Sequence, residues 1–151
     1  AFYSVEVNAE SDTRTGVLAT LPVRLQPGDD LRRALEELTR AQGWKAAFVV
    51  AGIGSLNPAA VRLAGADEAL VIDRDVELLT LCGSLSPDGA HLHLSIADDT
   101  GRVTGGHVAY GCRVRTTAEL LVALLPSWRF AREADPRTGF AELHIQAQIT
   151  K

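Results

Sequence analysis

The chain has 151 residues, 46% hydrophobic and 23% charged, with 15 basic against 19 acidic side chains and a formal net charge of −4. That length suits one domain over 1–151, able to bury roughly 68–70% of its unfolded surface, and the composition excludes intrinsic disorder. The acidic balance and the lack of any basic run argue against sequence-independent nucleic-acid binding, which depends on lysine and arginine neutralising phosphates.

No apolar run is long enough to cross a bilayer as a helix, and no signal peptide is recognisable, so a cytoplasmic location is expected. The two cysteines, Cys82 and Cys112, lie in apolar strand contexts and form no C-x-x-C pair. Buried free thiols in a reducing compartment are expected, with a single disulfide as the alternative. The chain contains no methionine and begins at Ala1, from which we expect that a short N-terminal stretch has been removed.

Residues 1–9 alternate weakly and 10–16 form a polar turn region. Val17 to Leu25 reads as a strand interrupted by Pro22, which suits an edge or a bend. Pro27-Gly28-Asp29-Asp30 then opens the one well-marked helix. Its acidic residues meet the positive end of the helix dipole, Leu31, Ala34, Leu35 and Leu38 form the apolar stripe, and Gly43 ends it. Ala46 to Ala51 is a continuous apolar run, a buried strand, and Gly52-Ile53-Gly54-Ser55 after it reads as a tight turn. The third glycine of a dinucleotide fingerprint is missing and no Gly-Lys-Ser/Thr follows, so a phosphate loop is not expected.

Val61–Ala64 and Leu70–Ile72 read as short strands around a turn, and Val76–Leu85 as a longer one closed by Ser86-Pro87-Asp88-Gly89. Thr117–Leu125 is ambiguous, since propensity favours helix and context favours strand. Residues 128–139 are charged and turn-rich. From Phe140, Leu143, Ile145, Ala147 and Ile149 alternate with Glu142, His144, Gln146 and Gln148, which puts His144 on a solvated face.

The segment between these elements carries the chemistry. Residues 91–97 alternate, with Leu92, Leu94 and Ile96 on one face and His91, His93 and Ser95 on the other. Asp99-Thr100-Gly101 suits a three-residue loop ending in a left-handed glycine. Such a loop centres a β-hairpin on Thr100, so His93 faces His107, with His91 as its diagonal neighbour. The second arm is expected to run on through Tyr110, Cys112 and Val114.

Three imidazoles can thus converge on one point and hold a divalent metal, with zinc well suited to nitrogen ligands. Three protein ligands leave a fourth position open, as catalytic sites do. The alternative is a set of polar residues on a wet sheet face, because His-x-His in a strand is not a specific pattern. Gly105-Gly106 removes side chains opposite Ser95 and Leu94 and is expected to leave room beside the cluster. A bulge at either glycine would instead turn His107 to the other face. No Gly-x-Ser-x-Gly elbow and no neighbouring cysteine–histidine pair argue for a nucleophile.

Taken in order, the segments Leu25-Gln-Pro-Gly-Asp-Asp-Leu31, Gly52-Ile-Gly-Ser-Leu56, Val76-Glu-Leu-Leu-Thr-Leu-Cys-Gly-Ser-Leu85, His91-Leu-His93, Gly101-Arg-Val-Thr-Gly-Gly-His107, Thr117-Ala-Glu119 and Arg132-Glu-Ala-Asp-Pro-Arg-Thr-Gly139 resemble the plants-and-prokaryotes-conserved (PPC) domain, the module that follows AT-hooks in plant proteins. The resemblance covers Leu21 to Leu143. It implies an α/β domain of the α+β type, with a largely antiparallel sheet and one main helix, assembled as a homotrimer. It also implies that His91, His93 and His107 hold a metal, with zinc expected, and a DNA-associated or regulatory role.

This chain has no Arg-Gly-Arg-Pro AT-hook. Where the plant proteins carry Gly-Arg-Phe-Glu-Ile-Leu it has Arg74-Asp75-Val76-Glu77-Leu78-Leu79. Direct DNA contact is therefore not expected. Two functions stand side by side. One is a metal-holding, trimeric assembly module; the other is a metal-dependent enzyme acting on a small molecule. For the second, Glu119 is the candidate general base and Arg132 the candidate anion clamp. A strand-end carboxylate and a surface ion pair are their bland alternatives.

Overall fold

The computed structural model describes residues 19–148, and the readings made for 1–18 and for Ile149 lie outside them. Leu25, Leu31, Leu35, Val49, Leu56, Leu78, Leu81, Leu85, Leu92, Leu94, Ile96 and Val122 form one buried cluster. Burying each such side chain is worth about 1.5–3 kcal/mol. These residues come from alternate positions of strands and from one helix stripe, so the core is a layer between a sheet and a helix.

The strands are β1 (Ala19–Leu25), β2 (Ala47–Leu56), β3 (Ala59–Arg62), β4 (Leu70–Ile72), β5 (Val76–Ser86), β6 (Gly89–Ala97), β7 (Val103–Val108), β8 (Val114–Leu124), β9 (Trp128–Asp135) and β10 (Phe140–Ala147), with helix α1 (Leu31–Ala41). Eight form one sheet in the order β1-β8-β2-β5-β6-β7-β3-β4, and β9 and β10 form a separate two-stranded ribbon. Every pairing among the described strands is antiparallel. The expected fold class is the observed one. Pro22 sits where its missing N–H costs least, on the edge strand β1, which pairs only with β8.

Helix α1 starts at Asp30, whose side chain accepts from the Arg33 backbone N–H, a standard N-cap. It ends before Gly43, at φ +66°, the left-handed geometry that glycine takes without a Cβ penalty. The helix lies on β5 and β6. Glu36 on its buried side accepts from the Tyr110 hydroxyl at 2.7 Å and from the Ala90 N–H at 3.2 Å. These bonds tie the helix to the start of β6 and to the turn after β7, one residue from His91.

Four expectations are corrected. Gly52 and Gly54 do not make a turn; they lie inside β2. A Cβ on Gly52 would come within 2.7 Å of Leu120 and 2.9 Å of Leu81, and one on Gly54 would strike the Thr117 carbonyl. The glycines let neighbouring chains close up. The second hairpin arm stops at Val108, because Gly111, at φ +105°, turns the chain before β8. Residues 128–135 are a strand, since β9 finds its partner in β10 with Phe130 buried at the base. Cys82 is exposed, not buried, whereas Cys112 is buried and free, and burial pushes its thiol up to about 11. The ambiguous 117–125 segment is β8, held by β1 on one side and β2 on the other; bonding on both edges outweighs its helix propensity.

Candidate metal centre

The β6–β7 ladder pairs His93 with His107, Leu94 with Gly106, Ser95 with Gly105, Ile96 with Thr104 and Ala97 with Val103, without a bulge. The three-residue loop sets this register. It leaves Leu92, Leu94 and Ile96 in the core and turns His91 and His93 to the opposite, outer face. Across the other edge of β6, Cys82 and Ser84 of β5 pair with His93 and His91.

Nε2 of His93 lies 3.2 Å from Nε2 of His91 and 3.1 Å from Nδ1 of His107, and the three donor atoms all fall within 4.8 Å of one another. A neutral imidazole nitrogen offers either one in-plane lone pair or one N–H. Two nitrogen neighbours at hydrogen-bond distance are therefore more than the His93 Nε2 can serve. Zinc–nitrogen bonds of about 2.0–2.1 Å in a tetrahedral shell separate ligand atoms by roughly 3.3–3.4 Å. Two of the three spacings lie near this value and the third stays within 4.8 Å, so the donor set is compatible with a divalent cation.

Burial lowers the pKa of His91 below the ordinary 6.5, helped by Arg132 and the two neighbouring imidazoles and opposed by Glu142. Burial, with Arg62 and His93, lowers that of His107. Both rings are thereby held in the neutral, metal-binding form at neutral pH.

His91 and His107 border a groove of about 790 Å³ whose walls include Arg62, Tyr110, Arg132, Phe140 and Glu142. Arg62 of β3 pairs with His107 of β7. Arg132 of β9 donates from Nη2 to the Ser84 Oγ at 2.7 Å, while its backbone N–H donates to Asp88. The candidate clamp Arg132 is therefore beside the histidines. Glu119 is not: it is exposed on β8, three strands from β6, and does not line the groove. Within one protomer it cannot act as a base at the histidines. His144 is half-buried, with Nδ1 3.5 Å from a carboxylate oxygen of Glu133, away from the cluster. Arg62, Ser84 and Glu142 were not singled out by the sequence. Arg62 comes from β3, which meets β7 through long-range pairing, and Glu142 from the separate β9–β10 ribbon. Ser84, by contrast, faces His91 across the tight β5–β6 turn, a register the Ser86-Pro87-Asp88-Gly89 signal could have given.

Gly105 and Gly106 have separate roles. Gly105 shares the outer face with His107. A Cβ on Gly106 would lie 2.6 Å from the Arg62 carbonyl oxygen and 3.0 Å from Val61. It clears the way for β3, not for the site.

Residues 13–126 match the family model of the Plants and Prokaryotes Conserved (PCC) domain. The chain belongs to this family. The match ends before β9, so the Arg132–Gly139 segment lies beyond it. The bifunctional protein GlmU of Synechococcus sp. (strain JA-3-3Ab) is 48% identical over 132 residues, which are 87% of this chain and 21% of that protein. The chain thus spans about a fifth of the length of the curated relatives it matches. A solved structure of a hypothetical protein from Salmonella cholerae-suis (Salmonella enterica) has 34% identity and a TM-score of 0.85, covering 87% of this chain and 96% of that one. The metal-containing protein AF0104 from Archaeoglobus fulgidus has 27% identity and a TM-score of 0.71, covering 82% and 91%. No helix among the described residues of this PCC domain is long and apolar enough to cross a membrane.

Proposed function

We propose that this PCC domain is a metal-holding assembly module, in which His91 and His93 through Nε2 and His107 through Nδ1 bind one divalent cation, with zinc the best fit. The observation that carries this reading is the convergence of three ring nitrogens on one point of the β6–β7 hairpin. The metal-containing relative of similar fold supports it. Three neutral ligands leave the cation its full charge and an open position. The test is elemental analysis of untagged protein, where one equivalent per chain is expected and His93→Ala should abolish it. Full-length protein with no bound metal after incubation in zinc would reject the reading.

The module acts as a homotrimer. Val50 and Ile53 of β2, Leu79 of β5 and Leu121 of β8 are all more than a third exposed. They alternate with core residues, so they share the outer face of adjacent strands. Isolated surface leucines are ordinary, but a contiguous apolar strip on a sheet marks an interface. A monomer by light scattering at micromolar concentration would overturn this.

Its role is regulatory, with any contact to DNA made through a partner or a fused domain, because the chain is acidic. The GlmU relatives, in which the matching segment is a fifth of a longer protein, support use as an appended module. Absence of any shift of duplex DNA at low salt is expected, and binding there would contradict it.

A second reading, a metal-dependent enzyme for a small molecule, is favoured by the groove beside the histidines. A bound cation there would polarise a carbonyl or acidify a water. Arg132 would orient an anionic substrate, and Glu119 would serve as base only from a neighbouring protomer.

A further inference from the structure

The groove has a composition that the hairpin alone does not explain. One wall comes from the β9–β10 ribbon, which supplies Arg132, Phe140 and Glu142 and lies outside the residues that match the family. The other wall comes from β3, which supplies Arg62. The ribbon is fastened by several contacts, among them the Phe130 N–H to the Lys45 carbonyl at 2.9 Å and Arg132 Nη2 to Ser84. Phe130 packs edge-on against Phe48 at 6.0 Å, and the Arg132 N–H donates to Asp88 at 2.9 Å.

Among the described residues neither Arg62 nor Arg132 forms an ion pair with a carboxylate. Arg62 donates to the Ala66 carbonyl and Arg132 to the Ser84 hydroxyl, both neutral acceptors. The third arginine of the groove, Arg32, is already paired with Glu36 at 3.0 Å. Two half-buried guanidinium groups without counter-ions thus flank a site whose metal would add two further positive charges. Of the acids in the groove, Asp88 accepts the Arg132 backbone N–H, while Asp67 and Glu142 complete the rim.

We infer that the groove binds a metabolite-sized organic oxyanion, a carboxylate or a phosphate monoester, with its charged end between the histidine-held cation and Arg132 and its body against Phe140. Arginine presents a planar fork matched to either oxyanion, and a groove of about 790 Å³ is within the roughly 300–1,000 Å³ usual for small-molecule sites. Ser84 holds the guanidinium toward the His91 side, so Arg132 is a binding residue and Ser84 a positioning one. Phe140, 73% exposed at the ribbon end, presents an open aromatic surface to the groove. The inference rests on the metal reading, and the experiment separates the two.

The full chain is loaded with cobalt(II), whose visible spectrum reports its coordination shell, and titrated with benzoate, phenyl phosphate and, as the uncharged control, benzyl alcohol. Benzoate or phenyl phosphate should change the spectrum saturably while benzyl alcohol does not; the tighter of the two identifies the class of oxyanion. Arg132→Gln should weaken that binding about tenfold or more, the effect of losing one charge-assisted contact, while cobalt stoichiometry stays at one. Arg132→Lys should restore part of it. Phe140→Ala should weaken phenyl phosphate more than inorganic phosphate. Failure to take up cobalt would reject the metal reading. Uptake with no response to either anion, or an unchanged response in Arg132→Gln, would overturn the oxyanion site and leave the metal intact.

Discussion

His93 and His107 face each other directly across the β6–β7 ladder, with Nε2 of the first 3.1 Å from Nδ1 of the second. The pairing follows from a three-residue turn, and it makes His93 the shared neighbour of both other rings. Replacing His93 should therefore damage the site more than replacing either flanking histidine. His93→Ala is expected to lower zinc affinity by more than the roughly 10–100-fold that losing an outer-shell partner costs, measured by competition with a chromophoric chelator. Its fold should survive, because the side chain is exposed. Affinity equal to that of the unsubstituted protein would remove His93 from the site.

The lowered pKa values of His91 and His107 give a pH dependence of definite sign. In the unfolded chain each ring titrates near 6.5, and in the folded chain it titrates lower. Between those values the unfolded state binds more protons, so metal-free protein loses stability as pH falls from about 6.5 toward the folded values and gains none above it. Chemical denaturation of metal-free protein at several pH values checks this. A mutant lacking both rings should lose that component of the slope.

Metal affinity should follow the same titration. Because ligands must be deprotonated, zinc binding should weaken as pH falls and protons compete for His91 and His107, whose lowered values place that competition below their ordinary 6.5. A steep loss already above pH 7 would show that the rings are more basic than their surroundings dictate.

The outer apolar strip predicts the behaviour of an aspartate at its centre. Ile53 is 56% exposed and lies opposite Glu119 of β8. On the proposed trimer, with this strip as its interface, Ile53→Asp should sediment as monomer with little change in circular dichroism, since Ile53 is not among the buried core residues. An unchanged trimer would move the interface elsewhere.

Gly106 and Gly52 are tight contacts in an ordinary backbone region. Gly106→Ala would push β3 from β7, and Gly52→Ala would press on Leu81 and Leu120. Each should cost about 1–3 kcal/mol, as overpacking does, read as a lower urea midpoint. Gly106→Ala should also displace Arg62, which pairs with His107, whereas Gly52→Ala should leave the site untouched.

What the sequence made legible was local. Alternation from His91 to Ala97 and the Asp99-Thr100-Gly101 turn were enough to set the register of the histidine hairpin, and Asp30 with Gly43 bounded the helix. The misreadings were tertiary. Gly52 and Gly54 resemble turn glycines in isolation, and only the approach of Leu81, Leu120 and the Thr117 carbonyl explains them as strand residues. The charges of residues 128–135 hide a strand because β9 has one partner, and most of its side chains stay in contact with water. Glu119 was attractive by family pattern, yet it lies three strands from the hairpin. Arg132 was nominated from the same pattern and does reach the site, through Ser84, which nothing in its neighbourhood of the chain announces.

If three imidazoles of one hairpin share one cation, anomalous scattering at the zinc edge from a crystal of untagged protein should give a single peak per chain, about 2.0–2.1 Å from Nε2 of His91, Nε2 of His93 and Nδ1 of His107. Zinc-soaked crystals with no peak there, and the rings hydrogen-bonded to one another or turned to water, would contradict that sharing.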